Sequence, residues 1–220
     1  MILAAGRGER MRPLTDRTPK ALLEVAGKRL IDWQLERLRN AGVLTVVINL
    51  GWLGDSIIGH VGDGSRYGLE VVYSPEDDLI LETGGGIRRA LPMLGRQPFW
   101  AINADVFSDL SLPAVELAAR DLAHLVLVPT PAYKRSGDFD LEGGRVRREP
   151  ALRFTFSGIG LYRPEMFADC EPGRFPLAPM LFQAAAENRL QGELYDGVWE
   201  DVGTVARLEA LNRRHAGAGA

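Results

Sequence analysis

A single cysteine, three histidines and no excess of basic residues close off several functions for this 220-residue chain. Cys170 alone cannot form an internal disulfide, so a reducing, cytoplasmic setting is expected. Acids flank it at Asp169 and Glu171, a setting that disfavours a catalytic thiolate. The net charge of −3 lacks the strongly basic balance of a nucleic-acid-binding domain. No run approaches the roughly 18 apolar residues of a membrane span, and no charged-then-apolar export segment precedes the first strand. Neither nucleic acid nor membrane is therefore expected as a partner. Two common phosphate loops are also missing. Met11 stands where a dinucleotide fingerprint needs its third glycine, and no Gly-Lys-Ser or Gly-Lys-Thr triplet supplies a Walker loop.

What the chain does have is an opening stretch with pronounced chemistry. Met1-Ile2-Leu3-Ala4-Ala5 is uninterrupted apolar sequence, the pattern of a buried parallel strand. It is short, and a few further residues are expected upstream of it. It runs into Gly6-Arg7-Gly8-Glu9-Arg10-Met11-Arg12-Pro13-Leu14-Thr15, followed by Thr18-Pro19-Lys20. Two glycines two apart permit a tight bend and leave backbone N–H groups bare toward a ligand's oxygens. Arg7, Arg10, Arg12 and Lys20 put four cations into the same stretch. A polyphosphate is the ligand that calls for both.

Hydrophobic content of 46 % and charged content of 25 % are those of an ordinary globular protein with one sizeable core. A helix with apolar positions Leu30, Ile31, Leu35 and Leu38 is predicted to stop at Asn40-Ala41-Gly42. Thr45 to Leu50 is a β-branched, buried strand. A helix around Ile57 and Val61 and a strand from Leu69 to Tyr73 follow. This alternation predicts an α/β fold, a doubly wound, mostly parallel Rossmann-like sheet in three layers. In such sheets ligands gather at the carboxyl ends of strands, where the opening loop lies.

Glu82-Thr83-Gly84-Gly85-Gly86 opens a helix at an entropic cost that close approach of a base or sugar would justify. Strands are predicted for Phe99–Asn103, Leu122–Val128 and Phe154–Tyr162, with a helix over Leu112–Ala119 between the first two. His124, among apolar neighbours, reads as structural. Gly137 to Val146 alternates and turns on Gly143-Gly144, a hairpin signal. Residues 129–153 are thus expected to form a small antiparallel insertion beside the main sheet of a single domain spanning 1–220. Arg145, Arg147 and Arg148 read as its solvated face. Helices are expected from Phe175 to Ala186 and from Val205 to Arg214, with a flexible tail over 216–220. Gly158, inside a strand, points to something packed on the backbone.

Two distant acids, Asp105 and Asp201, each follow an apolar strand. Hard cations such as Mg²⁺ take oxygen ligands, commonly one or two carboxylates plus substrate phosphates. Either aspartate taken alone also suits a helix N-cap.

Leu3 to Thr15, with Pro19-Lys20, resembles position for position the signature of the sugar-phosphate nucleotidyltransferases. Trp199, Asp201, Gly203 and Thr204 resemble a second stretch of that family, Trp-x-Asp-x-Gly-Thr. The departure is Ala104 before Asp105, where the family usually has glycine. The resemblance implies a nucleoside triphosphate wrapped by Ala4, Ala5, Gly6, Gly8 and Glu9, with Gly84 at its base and its phosphates neutralised by Arg10 and Lys20. It implies Mg²⁺, with Mn²⁺ as a substitute, on Asp105 and Asp201. Around the sugar 1-phosphate it implies Glu82, Thr83, Asp105, Asp138 and Gly158. Arg10, Lys20, Asp105 and Asp201 are accordingly the candidate catalytic residues. Asp63 to Gly68, Glu82 to Ile87, Gly137-Asp138-Phe139 and Thr155 to Ile159 are similar to the branch that joins UTP to N-acetylmuramate 1-phosphate. A mannose 1-phosphate guanylyltransferase, or another hexose 1-phosphate enzyme, is the alternative. A non-catalytic nucleotide-sugar sensor is the alternative of another class, although such a protein should lose Lys20, Asp105 or Asp201 first. A monomer is the default expectation.

Overall fold

The computed structural model describes residues 1–76, 80–148 and 151–215. The contacts of the chain divide it into two compact units.

The first unit comprises Ile2–Ile80, Asn103–Leu112 and Glu200–Ala220. Three of its strands, Ile2–Leu3, Thr45–Leu50 and Glu70–Pro75, pair in parallel, with Ile2 opposite Ile48 and Val46 opposite Val71. Five of the six residues of Thr45–Leu50 are buried, which explains its continuous apolar sequence. Helix Leu30–Asn40 buries Leu30, Ile31, Leu35 and Leu38 at the spacing the sequence predicts, and Gly42 follows it with φ 80°. Before it, strands Glu24–Val25 and Lys28–Arg29 form a hairpin. Its turn residues Ala26 and Gly27 have φ 53° and 76°, the positive values a two-residue turn of this kind requires. Helix Gly54–Val61 leads to the third strand, and helix Val205–His215 closes the unit.

The core of this unit decides where the opening loop lies. Met11, Val25, Leu30, Phe107, Val202, Leu208 and Leu211 form one buried cluster, with Trp33 edge-on to Phe107 at 5.3 Å. Met11 is fully buried. The residue that breaks a dinucleotide fingerprint is thus an apolar anchor, contributing roughly 1.5–3 kcal/mol as a buried side chain. It pins the loop to the closing helix.

The second unit comprises Met1, Leu81–Ile102 and Pro113–Trp199. Its strands run in the order Phe99–Asn103, Phe154–Tyr162, Ala123–Pro129, Leu190–Leu194, Arg145–Arg147, Asp140–Glu142. Only Leu190–Leu194 and Ala123–Pro129 pair in parallel; the other neighbours are antiparallel. The chain is therefore α/β as expected, its sheet parallel in the first unit and mixed in the second. The predicted hairpin is present and turns on Gly143 and Gly144, with φ 55° and 75°. The expected tail over 216–220 lies outside the described residues.

Two expectations are corrected. Leu112–Ala119 is not helical. The Arg163 guanidinium donates to the carbonyls of Leu117 and Asp121 at 2.8 and 2.9 Å and ties down the end of this irregular segment. Arg145 is not a solvated residue. It grips the fully buried Asp121 carboxylate with two hydrogen bonds of 2.9 and 2.7 Å. Those bonds hold the Asp121 carboxyl below the ordinary carboxylate range, against the opposing effect of burial.

A folded-state pKa that is lowered contributes stability above the unfolded carboxyl's pKa, and that contribution is lost as pH falls through the folded value. Asp121→Ala leaves Arg145 without its carboxylate and is expected to cost about 3–5 kcal/mol. Urea unfolding at neutral pH reads the loss, and it should shrink progressively as the titration is repeated below pH 4.

Candidate active site

The opening loop is a braced ring. At its start the Ala4 N–H donates to Asn49 Oδ1 at 2.7 Å, and Asn49 Nδ2 donates to Glu76 Oε1 at 2.6 Å. Asn49 and Glu76 are both buried, so the end of the first strand is fixed by a relay of polar groups in the core. A Cβ at Gly51 would lie 2.4 Å from the Ala5 carbonyl oxygen, which is why only glycine fits there. Gly8 has φ 63°, and its carbonyl accepts from Met11 N–H and Thr15 Oγ1, both at 2.8 Å. Trp52 Nε1 donates to the Thr15 carbonyl at 2.9 Å, and Arg7 lies over the Trp52 ring at 5.8 Å. The Cβ side of Gly6, by contrast, meets nothing within 4 Å. The bend is therefore rigid along its walls and open at its apex, the form an anion cradle needs.

The cations of the loop are divided in use. Lys20, on a short turn of 3₁₀-helix after Pro19, donates from Nζ to Asp105 Oδ2. Its stem lies beside Gly8, where a Cβ would stand 3.4 Å from the Lys20 Cβ. Arg10 is exposed and makes no ion pair among the described residues. Arg12 is committed to the exposed Asp16 at 3.2 Å, which takes it out of the set of four.

Asp105 and Asp201 are brought side by side. Ala104 N–H donates to the Leu3 carbonyl at 3.0 Å, which sets Asp105 beside the end of the first strand. Val202 N–H then donates to the Asp105 carbonyl at 3.0 Å. Each carboxylate is 29 % exposed and each has one cationic partner: Lys20 for Asp105, and Arg207 Nη1 for Asp201 Oδ2 at 3.1 Å. A Cβ at Gly203 would come within 3.1 Å of Asp201 Oδ1, so glycine there leaves room for the carboxylate. The N-cap reading of Asp201 is resolved as well. Thr204 Oγ1, not Asp201, accepts from Arg207 N–H at 3.4 Å at the start of the closing helix.

This donor set suits a hard cation. It consists of two half-exposed carboxylates without thiolate or imidazole among them. Among the described residues no group of three or more acidic, histidine or cysteine side chains is arranged to hold a metal. Any divalent ion here would draw the rest of its ligands from phosphate oxygens and water, the usual habit of Mg²⁺.

Asp105 lies in the first unit; the other sugar-side candidates lie in the second unit and form two groups. Glu82 opens helix Glu82–Leu94 with φ 60° and pairs with Arg174 at 2.8 Å. Thr83 and Gly84 follow it. A Cβ at Gly84 would meet the Phe175 ring at 2.5 Å, and one at Gly85 the Gly173 carbonyl at 2.1 Å. The glycines thus make room for the chain's own 173–175 segment. Asp138 accepts from Lys134 Nζ at 2.9 Å and from Phe156 N–H at 3.1 Å. Gly158, with φ 81°, sits where the strand shifts register between Phe156 and Gly160, so a bulge accounts for it.

Sequence reasoning missed Arg207, Trp52, Lys134 and the Asn49–Glu76 relay, and named Thr15 only as part of the loop's signature. Of the missed residues only Lys134 carried a local signal, four residues before Asp138.

A glycine bend after a parallel strand, with Lys20 on Asp105 and the Asp201 segment hydrogen-bonded to the Asp105 backbone, is an arrangement suited to handling phosphate. Residues 1–139 match the family model described as Nucleotidyl transferase, and the chain belongs to that family. It is a nucleotidyltransferase. The chain is 52 % identical over 218 residues to the N-acetylmuramate alpha-1-phosphate uridylyltransferase of Neisseria meningitidis, covering 95 % of this chain and 94 % of that one. It is 37 % identical over 219 residues to the Caulobacter vibrioides protein of the same name, covering 92 % and 90 %. In fold it is similar to a Bacillus anthracis structure described as a glucose-1-phosphate thymidylyltransferase. That likeness has a TM-score of 0.84 at 20 % identity, over 98 % of this chain and 94 % of the other.

Proposed function

We propose that this enzyme transfers a uridylyl group from UTP to N-acetylmuramate 1-phosphate, giving the nucleotide sugar and pyrophosphate. The contact of Lys20 with Asp105, beside Asp201 and the glycine bend, carries the catalytic part of this reading. The substrate pair rests on the two relatives of that name, which align over nearly the whole chain.

No protein nucleophile is required. A phosphate monoester with a second pKa near ~6 is already largely dianionic at neutral pH. Its oxygen forms a bond to the α-phosphorus while the bond from that phosphorus to the pyrophosphate oxygen breaks. The barrier lies in bringing two anions together and in the charge that grows on the leaving group. The backbone N–H groups of Gly6 and Gly8 orient the triphosphate, while Arg10 and Lys20 neutralise it. Asp105 and Asp201 would hold Mg²⁺, or Mn²⁺ in its place, which when bound supplies charge neutralisation for the phosphates. Glu82, Thr83 and Asp138 would face the sugar; Gly84, whose Cβ side is closed by Phe175, would meet the base through its backbone.

A matrix of triphosphates against sugar 1-phosphates, read as pyrophosphate release, tests the assignment. UTP with N-acetylmuramate 1-phosphate should give the highest kcat/KM. A higher value for GTP with mannose 1-phosphate would overturn the substrate assignment and leave the class intact. Chelation with EDTA should reduce turnover to background, and added Mg²⁺ should restore it; turnover unaffected by the chelator would remove the metal from the reading.

A further inference from the structure

A second basic concavity lies in the first unit, apart from the Lys20–Asp105 pair. It has a volume of about 440 Å³ and is walled by Arg17, Thr18, Arg29, Ser56, His60 and Arg66. Lys20, Asp105 and Asp201 are not among its walls. We infer that this concavity is a second anion site, taking the phosphoryl group of a small phosphate ester.

The argument is one of uncompensated charge. Arg17 is exposed and has no hydrogen-bond or ion-pair partner among the described residues. Arg29 Nη1 is hydrogen-bonded to His60 Nδ1, a neutral acceptor. With Nδ1 accepting, the ring proton sits on Nε2 and is donated to Asp32 Oδ1 at 2.7 Å. Asp32 also accepts from Tyr67 Oη at 2.6 Å. Arg66 lies over the Tyr67 ring at 4.6 Å, half-exposed, with Asp32 only at 3.9 Å. Three guanidinium groups therefore line one concavity, and no carboxylate is among its described walls. Asp32, behind those walls, already accepts from a histidine and a tyrosine on Oδ1.

The scaffold is also preorganised. His60 is held on both ring nitrogens, Arg29 is held by its contact to Nδ1, and Arg66 is held by the ring and hydroxyl of Tyr67. Arg29 therefore has little rotamer freedom left to lose on binding, which favours a guanidinium–phosphate contact there. The volume exceeds what a bare phosphate fills and lies at the small end of the range for organic ligands. A phosphorylated monosaccharide matches it better than a free ion. The wall formed by Arg17 and Thr18 runs through Pro19 into Lys20, so an occupant would rest on the segment that carries the active-site lysine.

Histidine side-chain NMR tests this directly, because the chain has three histidines and one of them, His60, lines the site. His60→Gln assigns its signal. Inorganic phosphate and glucose 1-phosphate are titrated at fixed ionic strength, which removes the general salt effect. The His60 signal should shift saturably with either probe, and more tightly with the ester. Tighter binding of inorganic phosphate would instead name the free ion as the source while leaving the site standing. Arg17→Glu, at an exposed unpaired position, should weaken that binding at least about tenfold, as loss of a charged partner does. Lys20→Ala should leave it in place. A His60 signal that does not saturate with either probe overturns the inference. So does binding that survives Arg17→Glu unchanged, or that Lys20→Ala abolishes.

Discussion

Asp105→Asn is expected to fold as the wild type does and to lose at least about 100-fold in turnover, the usual cost of one preorganised charged contact. The structural part of the residue is its backbone. The Asp105 carbonyl takes the hydrogen bond from Val202, and asparagine keeps it. The side chain is partly open to solvent and close in shape to the amide, so the melting temperature should move little. An amide oxygen can still accept from Lys20 Nζ. What disappears is the negative charge, and with it the balance that lets a lysine sit beside a second aspartate–arginine pair. One oxygen donor for a hard cation is weakened as well. Pyrophosphate release measured beside a circular dichroism melt separates the two effects. Turnover within a few-fold of wild type, in a folded protein, would sink the assignment of Asp105 to the chemistry.

Much of this architecture is legible because single segments carry their own signal. Thr45–Leu50, Phe99–Asn103 and Phe154–Tyr162 are runs rich in β-branched and aromatic residues, and the strands occupy those same residues. Helix Leu30–Asn40 is announced by its spacing and by the glycine beyond it. The misses share one cause, a distant partner. Nothing between Leu112 and Ala119 says that Arg163, more than forty positions later, will occupy carbonyls there. Arg145 looks like a surface charge until Asp121 is folded underneath it.

The site divides in the same way. Gly6, Gly8, Lys20 and Asp105 lie in or next to apolar runs, where polar residues need an explanation, and so they stand out. Arg207 lies on a helix rich in arginine, where one more reads as solvated, yet it is the partner of Asp201. Gly84 and Gly85 were legible as places of close approach. The approaching group, however, is the 173–175 segment of the same chain, which a run of glycines cannot name. Sequence marks where the backbone is crowded; only the folded chain says by what.

Lys20→Ala is the second large effect, again at least about 100-fold in turnover, and it should part company with Asp105→Asn in one measurement. On the proposed metal role of Asp105, Lys20 and a divalent cation would compete for the same carboxylate. Removing Asp105 would then remove a ligand, whereas removing Lys20 would free one, since the Lys20 ammonium is the cation that occupies Asp105 Oδ2. Titration of Mn²⁺ followed by electron paramagnetic resonance, with no nucleotide present, should therefore show affinity at least equal to wild type in Lys20→Ala and weaker affinity in Asp105→Asn. Turnover should be crippled in both, because the lysine's charge is needed once the triphosphate brings its own. The stem of Lys20 is mostly buried against the loop, so a modest fall in melting temperature is expected from the lost packing. Should Lys20→Ala bind Mn²⁺ as poorly as Asp105→Asn does, the lysine would be organising the aspartate rather than competing for it, and its role as a separate phosphate-neutralising charge would fall.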